Sequence, residues 1–258
     1  MNKGITLAEW SEKIEKFLSR MGNVKYQEKL VEGLYNTISI AVAGLIIGII
    51  IGSLIAIVRV APKYRLIFRV LDKICSIYVA IFRGTPIVVQ LLLTYYVILP
   101  AIGVKGIGNI IVGMAVFGMN SGAYVSEIMR GGLNSVDRGQ MEGGRAVGLS
   151  YGATMVKIII PQAIKNILPT LGNEFITLIK ETAVLSVITI PDLYSVLIDD
   201  IAANSYEWMV PSIVIAIIYI ILVLIITILI KVIEGIFAKS DKSKMNNKKV
   251  NNKKVKAV

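Results

Sequence analysis

The chain has 258 residues, 55% of them apolar, with 28 Lys and Arg against 17 Asp and Glu for a formal net charge of +11. Its mean hydropathy of +0.71 is too high for a soluble domain of this length and points to a polytopic membrane protein. With no histidine and one cysteine, Cys75, the chain has no imidazole for acid–base chemistry, no intramolecular disulfide and no clustered zinc ligands.

In chain order, residues 1–33 form a polar N-terminal segment. Leu7 to Phe17 is amphipathic, the pattern of a helix on a membrane surface, with a solvated linker as the alternative. It has neither an apolar h-region nor a small-residue cleavage site, so a cleaved signal is not expected. A first span is expected at about Leu34–Val58, where Gly44, Gly48 and Gly52 lie four apart and permit close helix approach. The second, about Ile74–Leu99, holds Cys75 as a small apolar core residue. Gly84 and Pro86 interrupt it; Pro86 removes a backbone hydrogen bond and predicts a kink, which suits either a pore-lining element or kinked packing.

The third span, about Ile107–Met129, carries Gly118 and Gly122 as a second small-residue pair. Asn120, Tyr124 and Glu127 recur at intervals of four and three, hence on one helix face. Polar groups at membrane depth are costly, so this face is a candidate pathway lining. The competing reading is a polar helix–helix contact, with Glu127 paired to Arg130 or to a cation of the fourth span. That span, about Ile167–Ile190, is the least apolar because of Glu174, Lys180 and Glu181. The fifth, about Met209–Lys231, is almost wholly Ile, Val and Leu. The membrane domain is thus 34–232, followed by a basic tail, 233–258, expected to be disordered.

Lys and Arg set the expected orientation, since cytoplasmic loops carry their excess. Arg59, Lys63, Arg65 and Arg69 follow span one; Arg130, Arg138, Arg145, Lys157 and Lys165 follow span three; the tail from Lys239 to Lys256 is Lys-rich. With five spans all three lie on one side, opposite the acidic segment Pro191–Trp208 with Asp192, Asp199, Asp200 and Glu207. The expectation is N-terminus outside and C-terminus in the cytoplasm, against the basic stretch Lys3 to Lys29. The tail lacks a folded basic module or interleaved aromatics, so it suits anionic lipid rather than nucleic acid.

The stretch 131–161 reads as two short surface helices. Asp137 is placed to cap Arg138–Val147, Ser150 to cap the helix after it, and Gly148 to make the sharp turn between them. Such a rigid protrusion fits a groove on another protein; an ordinary inter-span loop is the alternative. The spacing Glu142, Gly143, Gly144, then Gly148, then Ile158 and Pro161 resembles the cytoplasmic "EAA" loop of ABC importer permeases. Arg130-Gly131-Gly132-Leu133, Ser135-Val136, Gly139-Gln140 and Pro161-Gln162-Ala163 resemble the polar amino acid type of that family, the histidine/glutamine/arginine importers, as does Arg83-Gly84-Thr85-Pro86. The likeness runs from about Asn36 to Val232, and glycine stands where the motif has its two alanines, which loosens the loop helix.

The resemblance implies an all-α polytopic membrane protein of about five transmembrane helices with a cytoplasmic coupling-helix loop, the type I ABC importer permease. It implies a bacterial cell membrane location and a pathway built with a second permease subunit, identical or not. An extracellular solute-binding protein would deliver a polar amino acid, and Asn120, Tyr124 or Glu127 would meet its ammonium or side chain. No catalytic residue and no cofactor is expected in this chain. A G-x-x-x-x-G-K-[ST] phosphate loop is missing from the sequence, so ATP and Mg would be bound by a partner ATPase subunit. The runner-up is an ion-coupled secondary amino acid transporter, which usually shows inverted repeats; none is legible here.

Overall fold

The computed structural model describes residues 6–203 and 208–255, with side chains as far as Ile236. Lys3, Glu207 and Lys256, used in the charge argument, lie outside the described residues. The described chain is helical without strands: α1 Leu7–Met21, α2 Val24–Val60, α3 Leu66–Gly84, α4 Ile87–Ala101, α5 Asn109–Asn134, α6 Arg138–Ala146, α7 Tyr151–Ile188, α8 Leu193–Ala202 and α9 Met209–Val255. By length and composition, α2 and α9 are each able to cross a membrane. Two bent pairs, α3 with α4 (107°) and α7 with α8 (65°), raise the candidate spans to four if each pair is one span. The segment expected as the third span forms the 26-residue helix α5, which is not among these candidates because Asn120, Ser121, Ser126 and Glu127 dilute its apolar character.

Local chemistry sets the helix ends. Thr6 and Glu9 form a reciprocal capping box at the start of α1, with Thr6 N donating to Glu9 Oε2 at 2.7 Å and Glu9 N to Thr6 Oγ1 at 3.3 Å. Asn23 caps α2, which starts ten residues before the expected apolar span and stops at Ala61 because Pro62 pushes its neighbour into extended backbone (φ −58°, ψ 143°). Likewise Thr85, before Pro86, is extended (φ −123°, ψ 143°), and there the expected kink becomes a full break. The chain widens into π-helical turns at Leu93–Ile98 and Met155–Ile159, just ahead of Pro100 and Pro161. In each case the residue before the proline bonds five residues back, a turn that accommodates the missing N–H.

Two further differences have simple causes. The fourth span is not a separate helix from Ile167: α7 runs into it from Tyr151, with Pro169 tolerated inside. The backbone of α9 continues beyond Lys231 to Val255, so the tail expected to be disordered is helical there; its many Lys residues are good helix formers.

The chain forms two compact units, one comprising the stretch ending at Arg130 with Glu174–Ile221, the other Gly131–Asn173 with the stretch from Leu222 onward. In the first, α2 and α5 interlock through the expected glycines. A Cβ on Gly48 would lie 2.6 Å from Ser121 Oγ, one on Gly52 2.7 Å from Val125, and one on Gly118 2.4 Å from Ile47. Ile55, Val79 and Ala123 join α2, α3 and α5 in a core flanked by Cys75, Tyr78 and Phe82. Asn36 Nδ2 donates to the Pro191 carbonyl at 2.8 Å, and the Leu193 N–H donates to Thr37 Oγ1, tying α2 to the turn before α8. In the second unit, Gly132 lets α5's end approach Ile167, and Gly172 lets α7 approach Ile230 of α9.

Candidate functional site

Two places gather the residues singled out above. The first is the turn between α6 and α7. Asp137 accepts from Gly139 N at 2.7 Å to cap α6, and Ser150 Oγ accepts from Ala153 N at 3.2 Å to cap α7, both as read from the sequence. Gly148 takes φ +85°, a region costly for any residue with a Cβ. Arg145 Nη1 donates to the Leu149 carbonyl at 3.1 Å and closes the turn.

The packing inside this knuckle separates the two glycines after Glu142. Gly144 is buried against α7, where a Cβ would sit 2.4 Å from Thr154 Cγ2 and 3.2 Å from Ile158 Cδ1. Gly143 faces open space. Ile158 is half-buried behind Gly144, and Pro161 follows the π-helical turn. Glu142 is exposed, and exposed Val147 and Tyr151 flank the turn. Chemically this is a stiff apolar knob with a free carboxylate beside it. The pair differs from two short helices in one respect, since its second member is the first part of the long α7.

The second place is the break between α3 and α4. Pro86 has no N–H to give the Phe82 carbonyl, which instead accepts from Gln90 Nε2 at 2.9 Å and Asn120 Nδ2 at 3.3 Å. Gln90 Nε2 also reaches the Thr85 carbonyl (3.0 Å) and Thr85 Oγ1 (2.9 Å), and its Oε1 accepts from Asn120 at 3.0 Å. Asn120 and Gln90 are both buried. Asn120 is therefore tied to the broken backbone. Tyr124, one turn on, lies under the Arg83 guanidinium, 5.3 Å from its ring centroid.

Glu127 is separated from these two by its own partners. It pairs with Arg59 of α2, and its Oε2 accepts from Arg130 Nη2 at 2.5 Å. Asp72 of α3 joins the cluster, 2.5 Å from Lys63 Nζ and 3.9 Å from Arg59 Nε. The three residues on one face of α5 thus enter three different contacts. Glu174 is buried and accepts from Ser121 Oγ at 2.9 Å, while Lys180 is exposed. Gln90 was missed by the sequence reading; its signal is a lone amide in the apolar run Val88-Val89-Gln90-Leu91, four residues after Pro86. Among the described residues no three Cys, Asp or Glu converge as a metal set.

Apolar helices long enough to cross a membrane, one bent pair of them braced by polar bonds, and a capped helix turn with exposed side chains suit a transport-type membrane protein. A family model for the binding-protein-dependent transport system inner membrane component matches residues 35–237. The arginine transport system permease protein ArtQ of Bacillus subtilis is 37% identical over 212 residues, 82% of this chain and 94% of the relative. The glutamine transport system permease protein GlnP of Escherichia coli K12 is 35% identical over 164 residues, 64% of this chain and 73% of its own. A crystal structure of an amino acid ABC transporter with histidines aligns at TM-score 0.75 and 38% identity, covering 85% of this chain and 97% of that one. The inward-facing MetNI methionine ABC transporter aligns at TM-score 0.67 and 18% identity, a likeness of fold. The chain belongs to the family of binding-protein-dependent transport system inner membrane components, as a permease of the polar amino acid ABC type.

Proposed function

We propose that this permease works as one of two such subunits around a central pathway, each holding an ATPase subunit through the α6–α7 knuckle. An extracellular binding protein delivers a polar amino acid. The observation that carries the docking role is the knuckle's construction. Two side-chain caps, a left-handed glycine turn and the Gly144–Thr154 contact stiffen a protrusion whose tip offers Glu142, Val147 and Tyr151. A stiff element passes on a displacement that a floppy loop would dissipate, and α7 leads out of it as one helix.

The knuckle, the Arg59–Arg69 loop and the C-terminal Lys run lie on the cytoplasmic side in this account, with the N-terminus and the acidic α8 segment outside, following the Lys and Arg bias. ATP and Mg bind the partner ATPase. ATP favours one of two pathway states by its differential affinity, and hydrolysis resets the equilibrium. At the α3–α4 break, Arg83 and Tyr124 offer a cation and an aromatic edge for an amino acid's carboxylate and side chain; Asn120 and Gln90 hold that break open. Reconstitution with ATPase and binding protein tests this. ATP-dependent uptake of glutamine or arginine is expected, whereas uptake driven by an ion gradient without ATP would overturn it.

A further inference from the structure

Helix α1 lies outside the stretch shared with the family, which begins at residue 35. Its apolar residues Leu7, Trp10, Ile14, Phe17, Leu18 and Met21 fall within one arc of roughly 100°. One edge of that arc is covered by the protein: Phe17 is only 8% exposed, and Trp10 and Met21 are half-buried. The other edge is bare, with Leu7 at 90% and Leu18 at 59% exposed and Ile14 beside them. The opposite side of the helix is charged and self-paired, Lys16 Nζ lying 2.7 Å from Glu12 Oε1, which holds the Glu12 carboxyl below its ordinary range.

A second exposed apolar surface follows this edge in the chain. Immediately after the Gly22–Asn23 corner, α2 begins an exposed apolar row, Val24, Val31, Tyr35, Ile38, Val42 and Ile46, spaced along one face of a spanning helix. A helix with one edge on protein, one edge apolar and bare, and a hydrated back meets the geometry of a membrane–water boundary. Trp10 adds a residue type favoured at that boundary, and Arg20 one that buries its stem while keeping its charge in water.

We propose that α1 lies in the plane of the membrane surface with Leu7, Ile14 and Leu18 inserted in lipid and the Glu12–Lys16 side in water. This anchor is independent of the docking role of the knuckle. The test uses the full chain in phosphatidylethanolamine/phosphatidylglycerol nanodiscs, in a Cys75→Ala background, with nitroxide labels on single cysteines at Ile14, Leu18, Glu12 and Ser19. Collision with oxygen relative to a water-soluble nickel chelate is measured at each. The ratio is expected to be several-fold higher at positions 14 and 18 than at 12 and 19. Four water-like ratios would overturn the proposal in favour of a solvated helix. Labels at 14 and 18 shielded from both reagents would overturn it in favour of a protein partner. Retention of the chain's elution volume in each variant separates these outcomes from misfolding.

Discussion

Gly144→Ala is the most discriminating change in the knuckle. A helical Gly→Ala substitution alone contributes about 1 kcal/mol of stability. Here the new Cβ lands 2.4 Å from Thr154 Cγ2 and 2.9 Å from its Oγ1, well inside ordinary contact. Thr154 does not rotate away freely, because its Oγ1 donates to the Ser150 carbonyl at 3.0 Å. Overpacking of this kind costs about 1–3 kcal/mol, so the net effect is a loss of about 0–2 kcal/mol. Gly143→Ala, where the Cβ meets open space, keeps the gain and loses nothing. Thr154→Ser removes the offending methyl while keeping the hydroxyl, and should restore Gly144→Ala toward the level of Gly143→Ala. Thermal unfolding in detergent and ATPase association would be measured across the four variants. If Gly144→Ala matches Gly143→Ala without the Thr154 change, the packing argument is wrong.

Other substitutions test the remaining contacts. Gly148→Ala forces a Cβ into positive φ and should lower stability by about 1–2 kcal/mol, read from the same unfolding curves. Gln90→Leu removes four of the five bonds of the clasp at the α3–α4 break and should cost more than Asn120→Leu, which removes two; about 1 kcal/mol is expected for the latter. An Asn120→Leu permease of unchanged stability but lost uptake would make Asn120 a substrate contact instead. Glu127→Gln weakens its pairing with both Arg59 and Arg130 and should cost about 1–3 kcal/mol, with most of the loss absent in an Arg59→Met, Arg130→Met background.

What the sequence made legible is what is local. The caps at Asp137 and Ser150, the turn at Gly148 and the break at Pro86 follow from one residue's chemistry and its immediate neighbours. The glycine stripe of α2 was equally readable, because spacing alone puts small residues on one face. The partners of the polar residues were not. Asn120 finds Gln90 thirty residues away and Ser121 finds Glu174 fifty-three away, pairings that no periodicity encodes. Sharing a helix face therefore did not give Asn120, Tyr124 and Glu127 shared contacts, since α3, α4 and α2 meet that face at different heights. Helix lengths were underestimated at α2, α7 and α9 because hydropathy marks the apolar stretch, whereas capping and propensity decide where the helix ends.

The measurement closest to the central claim is co-purification of the tagged chain from its native membrane, with mass spectrometry of what accompanies it. The account predicts a soluble nucleotide-binding subunit in the preparation, lost on Glu142→Lys together with Gly148→Pro while the permease still inserts. Recovery of the ATPase unchanged with that double variant would contradict the docking role of the knuckle. Recovery of no ATPase from the unaltered chain would contradict the transport mechanism itself.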